Sequence, residues 1–312
     1  MHITLAPMEG VVDHLMRDML TQIGGFDLCV TEFIRVVEAA LPERVFYRYC
    51  PELHQGGLTP SGVPVKIQLL GQHPQWMAEN AHRAVELGSH GVDLNFGCPA
   101  KTVNKSRGGA VLLQFPETLH AIVKAVREAV PEQHPVTAKI RLGFEDTSLA
   151  LENADAIYQA GASSLAVHAR TKADGYRPPA YWPWIAKIKA QVDMPIVANG
   201  EIWSASDAQL CQAQSHCDHL MLGRGALALP NLAKCIKDGD PELTWEACKA
   251  LLVQYSGYEI YGDKGRYYPN RIKQWFTYLK RQYPEAQTMF EQIRRLKDAN
   301  EIVAALQSSD RC

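Results

Sequence analysis

The sequence lacks the cysteine spacings that would mark a common metal or disulfide framework. Its eight cysteines, at positions 29, 50, 98, 211, 217, 235, 248 and 312, include no Cys-x-x-Cys pair. Cys211 and Cys217 are too isolated from further ligands to predict a zinc site. Free thiols of this kind are typical of reducing compartments. We therefore expect a cytoplasmic protein that binds no metal.

Long apolar runs and an excess of positive charge are also missing. No run approaches the roughly 18 apolar residues that a membrane span needs, and the N-terminus shows no charged segment followed by an apolar one. The formal net charge is -2 and the pI is about 6.6, which excludes a generally basic nucleic-acid coat. We expect no membrane contact, and any contact with a polyanion must come from a local patch.

What the sequence does contain is a regular alternation of short β-type runs and helical segments. The runs are Ile3–Ala6, Leu28–Thr31, Val65–Leu69, Val92–Asn95, Val136–Arg141, Ser164–His168, Pro195–Asn199 and His219–Leu222. This count and spacing predict a (β/α)8 barrel, with an open doubly wound sheet as the alternative. Loop-type residues at Lys237–Pro241 predict a boundary between a barrel at 1–240 and a helical domain at 241–312.

Polar residues close, or nearly close, five of these runs. They are Gln68, Asn95, Lys139, Arg141, His168 and Asn199. Alone, each is more typical of a capping or surface residue. Because the C-terminal ends of barrel strands converge on one mouth, the six together predict a polar site there.

Cys98 follows the fourth run in a Gly-Cys-Pro turn. A free cysteine is usually a small buried hydrophobe. In this turn, however, glycine offers little surface for packing and proline has no backbone N–H to donate. The turn therefore favours a thiol that is held in a defined position beyond the end of a strand.

Glycines follow the last two runs, in Asn199-Gly200-Glu201 and Gly223-Arg224-Gly225. Bare backbone amides and a guanidinium at these strand ends favour a phosphate site, and the absence of a Gly-x-Gly-x-x-Gly pattern argues for a mononucleotide such as a flavin's rather than a dinucleotide. Two tight turns are the alternative interpretation.

The segment from Lys264 to Arg281 carries six basic residues, five aromatic residues and no acid. Ile272, Trp275, Phe276 and Leu279 have helical spacing, which leaves Arg271 and Arg281 on another face. Charge runs are usually solvated surface, but a stretch without acids in an acidic chain favours a face that binds a polyanion, extended by Arg294 and Arg295.

These features resemble the tRNA-dihydrouridine synthases. The specific signature is VDLNFGCPAKTVNKSRGGA, and APMEGVVD, AKIRLG, HART, ANGEI and GRGAL are similar to further blocks of the family. The tail KGRYYPNRIKQWFTYL resembles the bacterial C subfamily, whose members reduce uridine 16 in the tRNA D-loop.

The resemblance implies a TIM barrel that binds flavin mononucleotide (FMN), followed by a helical-bundle domain that binds tRNA. NADPH or NADH would reduce the flavin, hydride would pass to C6 of the uracil, and Cys98 would donate the proton to C5. A monomer is expected.

The resemblance also implies roles for individual residues. Those assigned to FMN are Pro7, Met8, Glu9, Gln68, Lys139, His168, Asn199, Gly200, Glu201, Gly223 and Arg224. Those assigned to the uracil are Asn95, Arg141 and Tyr176. Those assigned to the rest of the tRNA are Arg35, Arg271, Lys273, Arg294 and Arg295.

Two other functions are compatible with parts of the sequence. A flavin-dependent reductase of a small molecule explains the barrel and the thiol but not the basic, aromatic tail. A tRNA-binding protein without turnover explains the tail but not the Gly-Cys-Pro turn.

Overall fold

A closed barrel of eight parallel strands forms the centre of the computed structural model, which describes residues 1–260 and 267–308. The strands are β1 (His2–Leu5), β2 (Leu28–Arg35), β3 (Val65–Leu70), β4 (Val92–Asn95), β5 (Val136–Arg141), β6 (Ser164–His168), β7 (Ile196–Asn199) and β8 (His219–Leu222). Each strand pairs with the next in the chain, and β8 closes on β1 from His2↔His219 to Leu5↔Leu222. The predicted (β/α)8 barrel is therefore confirmed, and the open sheet is wrong.

Helices form the outer layer of the barrel. They are α1 (His14–Ile23), α2 (Glu43–Tyr49), α3 (Pro74–Glu86), α4 (Lys101–Lys105), α5 (Pro116–Ala129), α6 (Ala150–Gln159), α7 (Trp182–Gln191), α8 (Ala205–Ser215), α9 (Arg224–Ala228) and α10 (Leu232–Asp238), with 3-10 turns at Pro51–Gln55 and Gly109–Gln114. In α5, Pro116 supplies a fixed φ at the first turn, and Leu119, Ile122, Val123 and Val126 are all buried against the sheet.

The described residues then form four more helices: α11 (Trp245–Ile260), α12 (Tyr268–Leu279), α13 (Pro284–Ile293) and α14 (Ala299–Gln307). The expected stripe of α12, from Ile272 to Leu279, is buried, and the Trp275 indole donates to the carbonyl of Leu227 at 3.0 Å. The buried apolar side chains of these helices form one continuous core with those of the barrel. Lys264, Arg266 and Cys312, which belong to the basic tail and the cysteine set, lie outside the described residues.

The interior of the barrel has two unlike halves. One half is a small apolar cluster, separate from the main core, formed by Ala6, Val30, Ala166, Met221 and the partly buried Val197. In the other half β3, β4 and β5 place polar side chains inside, because residues two apart on a strand face the same way. Those side chains are Lys66, Gln68, Asp93, Asn95, Thr137, Lys139 and Arg141. The polar half extends up to the C-terminal mouth.

Across the described part of the chain, no helix combines the length and apolar character that crossing a bilayer requires.

Candidate functional site

A cavity of about 510 Å³ opens at the C-terminal mouth of the barrel. Its size lies within the roughly 300 to 1,000 Å³ typical of small-molecule sites. Every residue that the resemblance assigned to flavin, uracil or catalysis lines it: Pro7, Met8, Glu9, Gln68, Asn95, Cys98, Lys139, Arg141, His168, Tyr176, Asn199, Gly200, Glu201, Gly223 and Arg224. The fold thus gathers residues from positions 7 to 224 into one site.

Cys98 is held at the rim of this cavity by hydrogen bonds to its backbone. The Asn95 Oδ1 accepts from the backbone N–H of Gly97 at 3.0 Å and of Cys98 at 2.9 Å. The Cys98 carbonyl accepts from the Asn104 amide at 2.9 Å and from the N–H of Ala110 at 3.1 Å. The thiol therefore projects from a fixed turn, as the sequence indicates.

One glycine in this loop is required by sterics. Gly109 has a φ of +66°, and a Cβ placed there would lie 2.9 Å from the Cys98 carbonyl oxygen. Any other residue would push the loop away from Cys98.

The thiol of Cys98 differs from the others in accessibility. Among the described cysteines it alone is half-buried, whereas the rest are buried. Burial, followed by the charge of Glu9, raises the pKa of the Cys98 thiol above its ordinary value. The sulfur is therefore protonated at neutral pH and can act as an acid, while remaining reachable from the cavity.

Three basic side chains on β5 and β6 face the cavity in different charge states. The Arg141 guanidinium is fixed by three carbonyls, those of Gly97 (2.9 Å), Thr171 (3.1 Å) and Gly175 (2.9 Å). Burial and the charge of Arg141 lower the pKa of Lys139 to about 8. The same two causes hold the pKa of His168 well below its ordinary value, so its imidazole is neutral at pH 7.

On another part of the cavity wall, the Glu201 carboxylate forms ion pairs with two arginines. Its carboxylate pairs with the fully buried Arg170 at 2.9 Å and with Arg224 at 3.2 Å. Burial opposes ionisation, but these arginines outweigh it, and the pKa of Glu201 lies below its usual value. The carboxylate is thus occupied in orienting Arg224 toward the cavity. Gly200, with a φ of +113°, leaves no room for a side chain, since a Cβ would lie 2.6 Å from the His168 ring.

Sequence reasoning missed an aromatic component of this wall. Arg141 and Arg224 lie over the ring of Tyr176, at 5.1 and 4.6 Å from its centroid. Arg224 and Arg281 lie over the ring of Trp203, at 5.0 and 3.8 Å. We call these five residues the cation–aromatic chain. It connects the cavity to the end of α12, and no motif in the sequence pairs a residue at 203 with one at 281.

The five residues predicted to meet the body of the tRNA lie outside the cavity. Arg35 donates to Ser106 beside the Cys98 loop, and Lys273 donates to the Leu296 carbonyl. Arg271 pairs with Asp13 at the start of α1 at 2.9 Å, so it joins α12 to the barrel. Arg294 pairs with Glu291 at 2.8 Å, and both Arg294 and Arg295 are exposed.

Comparison with known proteins gives a family and full-length relatives. The sequence profile described as dihydrouridine synthase (Dus) matches residues 4–310. The chain is 59% identical over 309 residues to the tRNA-dihydrouridine(16) synthase of Shewanella oneidensis, covering 99% of this chain and 98% of that protein. It is 56% identical over 307 residues to the protein of the same name from Vibrio cholerae (98% and 95% covered) and 51% identical over 311 residues to that of Escherichia coli K12 (99% and 99%).

Solved structures share the fold at low identity. An old yellow enzyme homologue from Zymomonas mobilis aligns with a TM-score of 0.52 and 13% identity, covering 78% of this chain and 90% of that one. A 2-naphthoyl-CoA reductase complex aligns with a TM-score of 0.60 and 14% identity, covering 80% and 52%.

Proposed function

The chain belongs to the dihydrouridine synthase family, and on this premise we propose that it is a flavin-dependent oxidoreductase that reduces uridine 16 in the D-loop of tRNA to 5,6-dihydrouridine. The observation that carries the proposal is Cys98, a half-buried thiol among the oriented donors that line a cavity of about 510 Å³. A structural cysteine needs neither accessibility nor a surrounding set of oriented donors.

The cavity fits flavin mononucleotide in both size and chemistry. Lys139 and Gln68 offer donors for the carbonyl and ring nitrogen acceptors of an isoalloxazine, and Arg224 offers a guanidinium for a phosphate. Gly200 and Gly223 give the chain close backbone approach near that guanidinium, where the Cβ position of Gly223 meets no atom nearer than 3.4 Å. When bound, FMN supplies the hydride, and NADPH restores it.

Arg141 and Asn95 orient and activate the uracil. Hydride addition at C6 moves negative charge to O4, and donors fixed in advance stabilise that charge without having to reorganise. The Arg141 guanidinium is already held by three carbonyls, and Asn95 is held by two backbone N–H groups. Tyr176, which is 53% exposed, offers a ring face at the cavity entrance.

Cys98 then completes the reduction by giving its proton to C5. Its raised pKa keeps the proton on sulfur at neutral pH until the neighbouring carbon becomes basic. The base must leave its stack in the tRNA to come within reach of this thiol, as in other enzymes that act on a nucleobase.

The C-terminal helices, residues 241–312 in the proposed division, bind the tRNA body. Arg294 and Arg295 are exposed there, and Arg281 reaches from the end of α12 to Trp203 at the cavity wall. Exposed arginines in these helices, one of which stacks on the cavity wall, fit a polyanionic substrate that delivers one base into the cavity.

Two measurements test the proposal. Purified protein should carry FMN, identified by its absorbance and by mass spectrometry after denaturation. Protein reduced with NADPH under anaerobic conditions should then be reoxidised by tRNA that lacks dihydrouridine, and digestion should locate the new dihydrouridine at position 16. Reoxidation by tRNA whose position 16 is cytidine at the same rate would contradict the proposal.

A further inference from the structure

The polar half of the barrel interior contains a continuous chain of hydrogen bonds, and three of its members, Lys66, Thr137 and Asp93, have no role in the proposed reaction. It runs through Lys66, Thr137, Asp93, Gln68 and Asn95, which we call the polar relay. Lys66 donates to Thr137 (3.3 Å), Thr137 to Asp93 (2.6 Å), Gln68 to Asp93 (2.7 Å), and Asn95 to Gln68 (2.8 Å). All five are at most 8% exposed. The relay therefore connects the cavity lining to groups below it that no ligand in the cavity touches.

The orientation of the two amide groups in the relay is fixed independently at Asn95 and at Gln68. At the upper end, Asn95 faces the backbone N–H groups of Gly97 and Cys98, which can only donate, so the amide oxygen must lie there. At the lower end, Gln68 faces the Asp93 carboxylate, which can only accept, so the amide nitrogen must lie there. Between them the Asn95 nitrogen meets the Gln68 oxygen, and the two constraints agree.

This order decides what the two amides can offer to a ligand. The Asn95 oxygen already accepts two hydrogen bonds, which leaves only the second N–H of its amide group free. The Gln68 nitrogen likewise keeps one N–H beyond its bond to Asp93. The cavity therefore presents donors at both positions, suited to the carbonyl oxygens of a pyrimidine and of a flavin.

A buried carboxylate below the cavity is costly unless something compensates its charge. Here Thr137 and Gln68 both donate to Asp93, and Lys66 lies behind Thr137. Burial lowers the pKa of Lys66, while the charge of Asp93 opposes that change. The opposite charges of Lys66 and Asp93 thus offset part of the cost of burying each side chain in the barrel interior.

We propose that Asp93 is a positioning residue, which acts through Gln68 and Asn95 to fix both amides as donors toward the cavity and to anchor the backbone of Cys98. What those donors meet rests on the proposed function. The order of the hydrogen bonds follows from the protein's own residues and does not depend on which ligand is bound.

The test compares single and double exchanges along the relay. Asp93→Asn replaces an acceptor by a group that can also donate, which frees Gln68 to turn over. Asn95→Asp places a carboxylate against the Gln68 oxygen. The double variant Asp93→Asn/Asn95→Asp allows the bonds from position 93 through Gln68 to position 95 to run in reverse, while Lys66 still donates to Thr137 and Thr137 to position 93, but it presents acceptors at position 95. Asn80→Asp is the matched control, because Asn80 is buried, 1% exposed, and bonds only backbone groups away from the cavity.

Two readouts separate positioning from mere stability. In flavin-free protein, alkylation of Cys98, followed by mass spectrometry of its peptide, should accelerate severalfold in Asp93→Asn and stay at the parent rate in Asn80→Asp. The double variant should melt closer to the parent than Asn95→Asp does. Its reoxidation by tRNA should nevertheless remain slower than the parent's by about 100-fold or more, the usual effect of losing a donor at a developing oxyanion.

Several results would overturn the proposal. One is recovery of the parent reoxidation rate in the double variant, and another is parent-like alkylation of Cys98 in Asp93→Asn. A third needs no variant: neutron diffraction from the deuterated protein showing the Asn95 oxygen toward Gln68. If the parent protein is not reoxidised by tRNA at all, the proposed function fails, whereas the alkylation rates and the neutron map still test the relay.

Discussion

At the scale of single residues, Cys98 tests whether the cavity is catalytic. Cys98→Ala should keep the fold and the flavin, and NADPH should still reduce that flavin, because this half-reaction needs no acid from the protein. Reoxidation by tRNA should slow by roughly 100- to 10,000-fold, the range for a positioned general acid. Single-turnover absorbance of the flavin band measures it.

The control is Cys235→Ala, which removes a buried thiol that lies outside the cavity. It should lower thermal stability by about 1 kcal/mol and leave turnover per folded molecule unchanged. If Cys98→Ala behaves in the same way, Cys98 is structural.

Lys139 makes a prediction about pH. Its folded pKa of about 8 lies below its ordinary value of 10.5, so between these values the unfolded chain binds more protons than the folded one. Stability contributed by this group must therefore rise with pH across that window. The free energy of unfolding of the flavin-free parent, relative to Lys139→Met, should increase between pH 7.5 and 9.5 in urea titrations. Groups that do not interact with Lys139 cancel in the difference, and a flat difference would show that Lys139 is not desolvated.

At the scale of elements, the segment after β7 and the start of α9 together form the side of the cavity that we propose binds the phosphate. Arg224→Ala should weaken binding of FMN to the flavin-free protein roughly 10- to 100-fold, because a hydrogen bond to a charged group contributes about 1.5 to 3 kcal/mol. Quenching of flavin fluorescence gives the Kd. The matched control is Arg177→Ala, an exposed arginine that bonds only backbone carbonyls of its own loop. Equal losses in both variants would place the phosphate elsewhere.

At the scale of the whole molecule, Arg271 and Arg294 lie in different surroundings, although the resemblance assigns both to tRNA. Arg271 pairs with Asp13, which also caps α1 by accepting from the N–H of Met16 at 3.2 Å. Arg271→Ala should therefore lower the free energy of unfolding by roughly 1 to 3 kcal/mol, since it removes a charged partner from a buried carboxylate. Urea denaturation measures this loss, and Lys273→Ala, two residues further along the same helix, provides the comparison.

Changing both Arg294 and Arg295 to Ala should instead affect tRNA binding. The slope of log K on log salt should fall by somewhat under one unit for each phosphate that the variant no longer neutralises, with little change in stability or in flavin reduction by NADPH. Lys124→Ala, on the outer side of α5, is the control of equal charge type. A full salt slope in the double variant would place the polyanion surface on another face.

Much of the architecture could be predicted because barrel strands are short apolar runs with clear ends. The predicted bounds of β4, β5, β6 and β8 match the structure, and β2 extends further, to Arg35. The cavity lining was also predictable, since polar residues at strand ends meet at one mouth. Asp93 and Lys66 could have been found as well, because each lies two residues before a predicted site residue on the same strand face.

Other contacts could not be predicted from local sequence. The pairing of Arg271 with Asp13 joins residues far apart in the chain, and so does the stacking of Arg281 on Trp203. Both depend on how α12 lies against the barrel, which is decided by the burial of Ile272, Trp275 and Phe276 in a shared core. The sequence alone does not distinguish a basic residue that contacts a phosphate from one that pairs with a neighbouring carboxylate.

The two halves of the barrel interior should differ in which substitutions they tolerate. In the apolar half, Ala6, Val30, Ala166 and Met221 pack by shape alone, so exchanges that conserve the total volume of the cluster should cost little stability. In the polar half, the residue accepted at 95 should depend on the residue at 93, because only a joint exchange of both lets the bonds from 93 through Gln68 to 95 run in reverse. A stability screen of a saturation library covering both halves should therefore show that the residues accepted at Asp93, Gln68 and Asn95 depend on one another's hydrogen-bonding groups, whereas the apolar cluster should accept any combination that conserves its total volume.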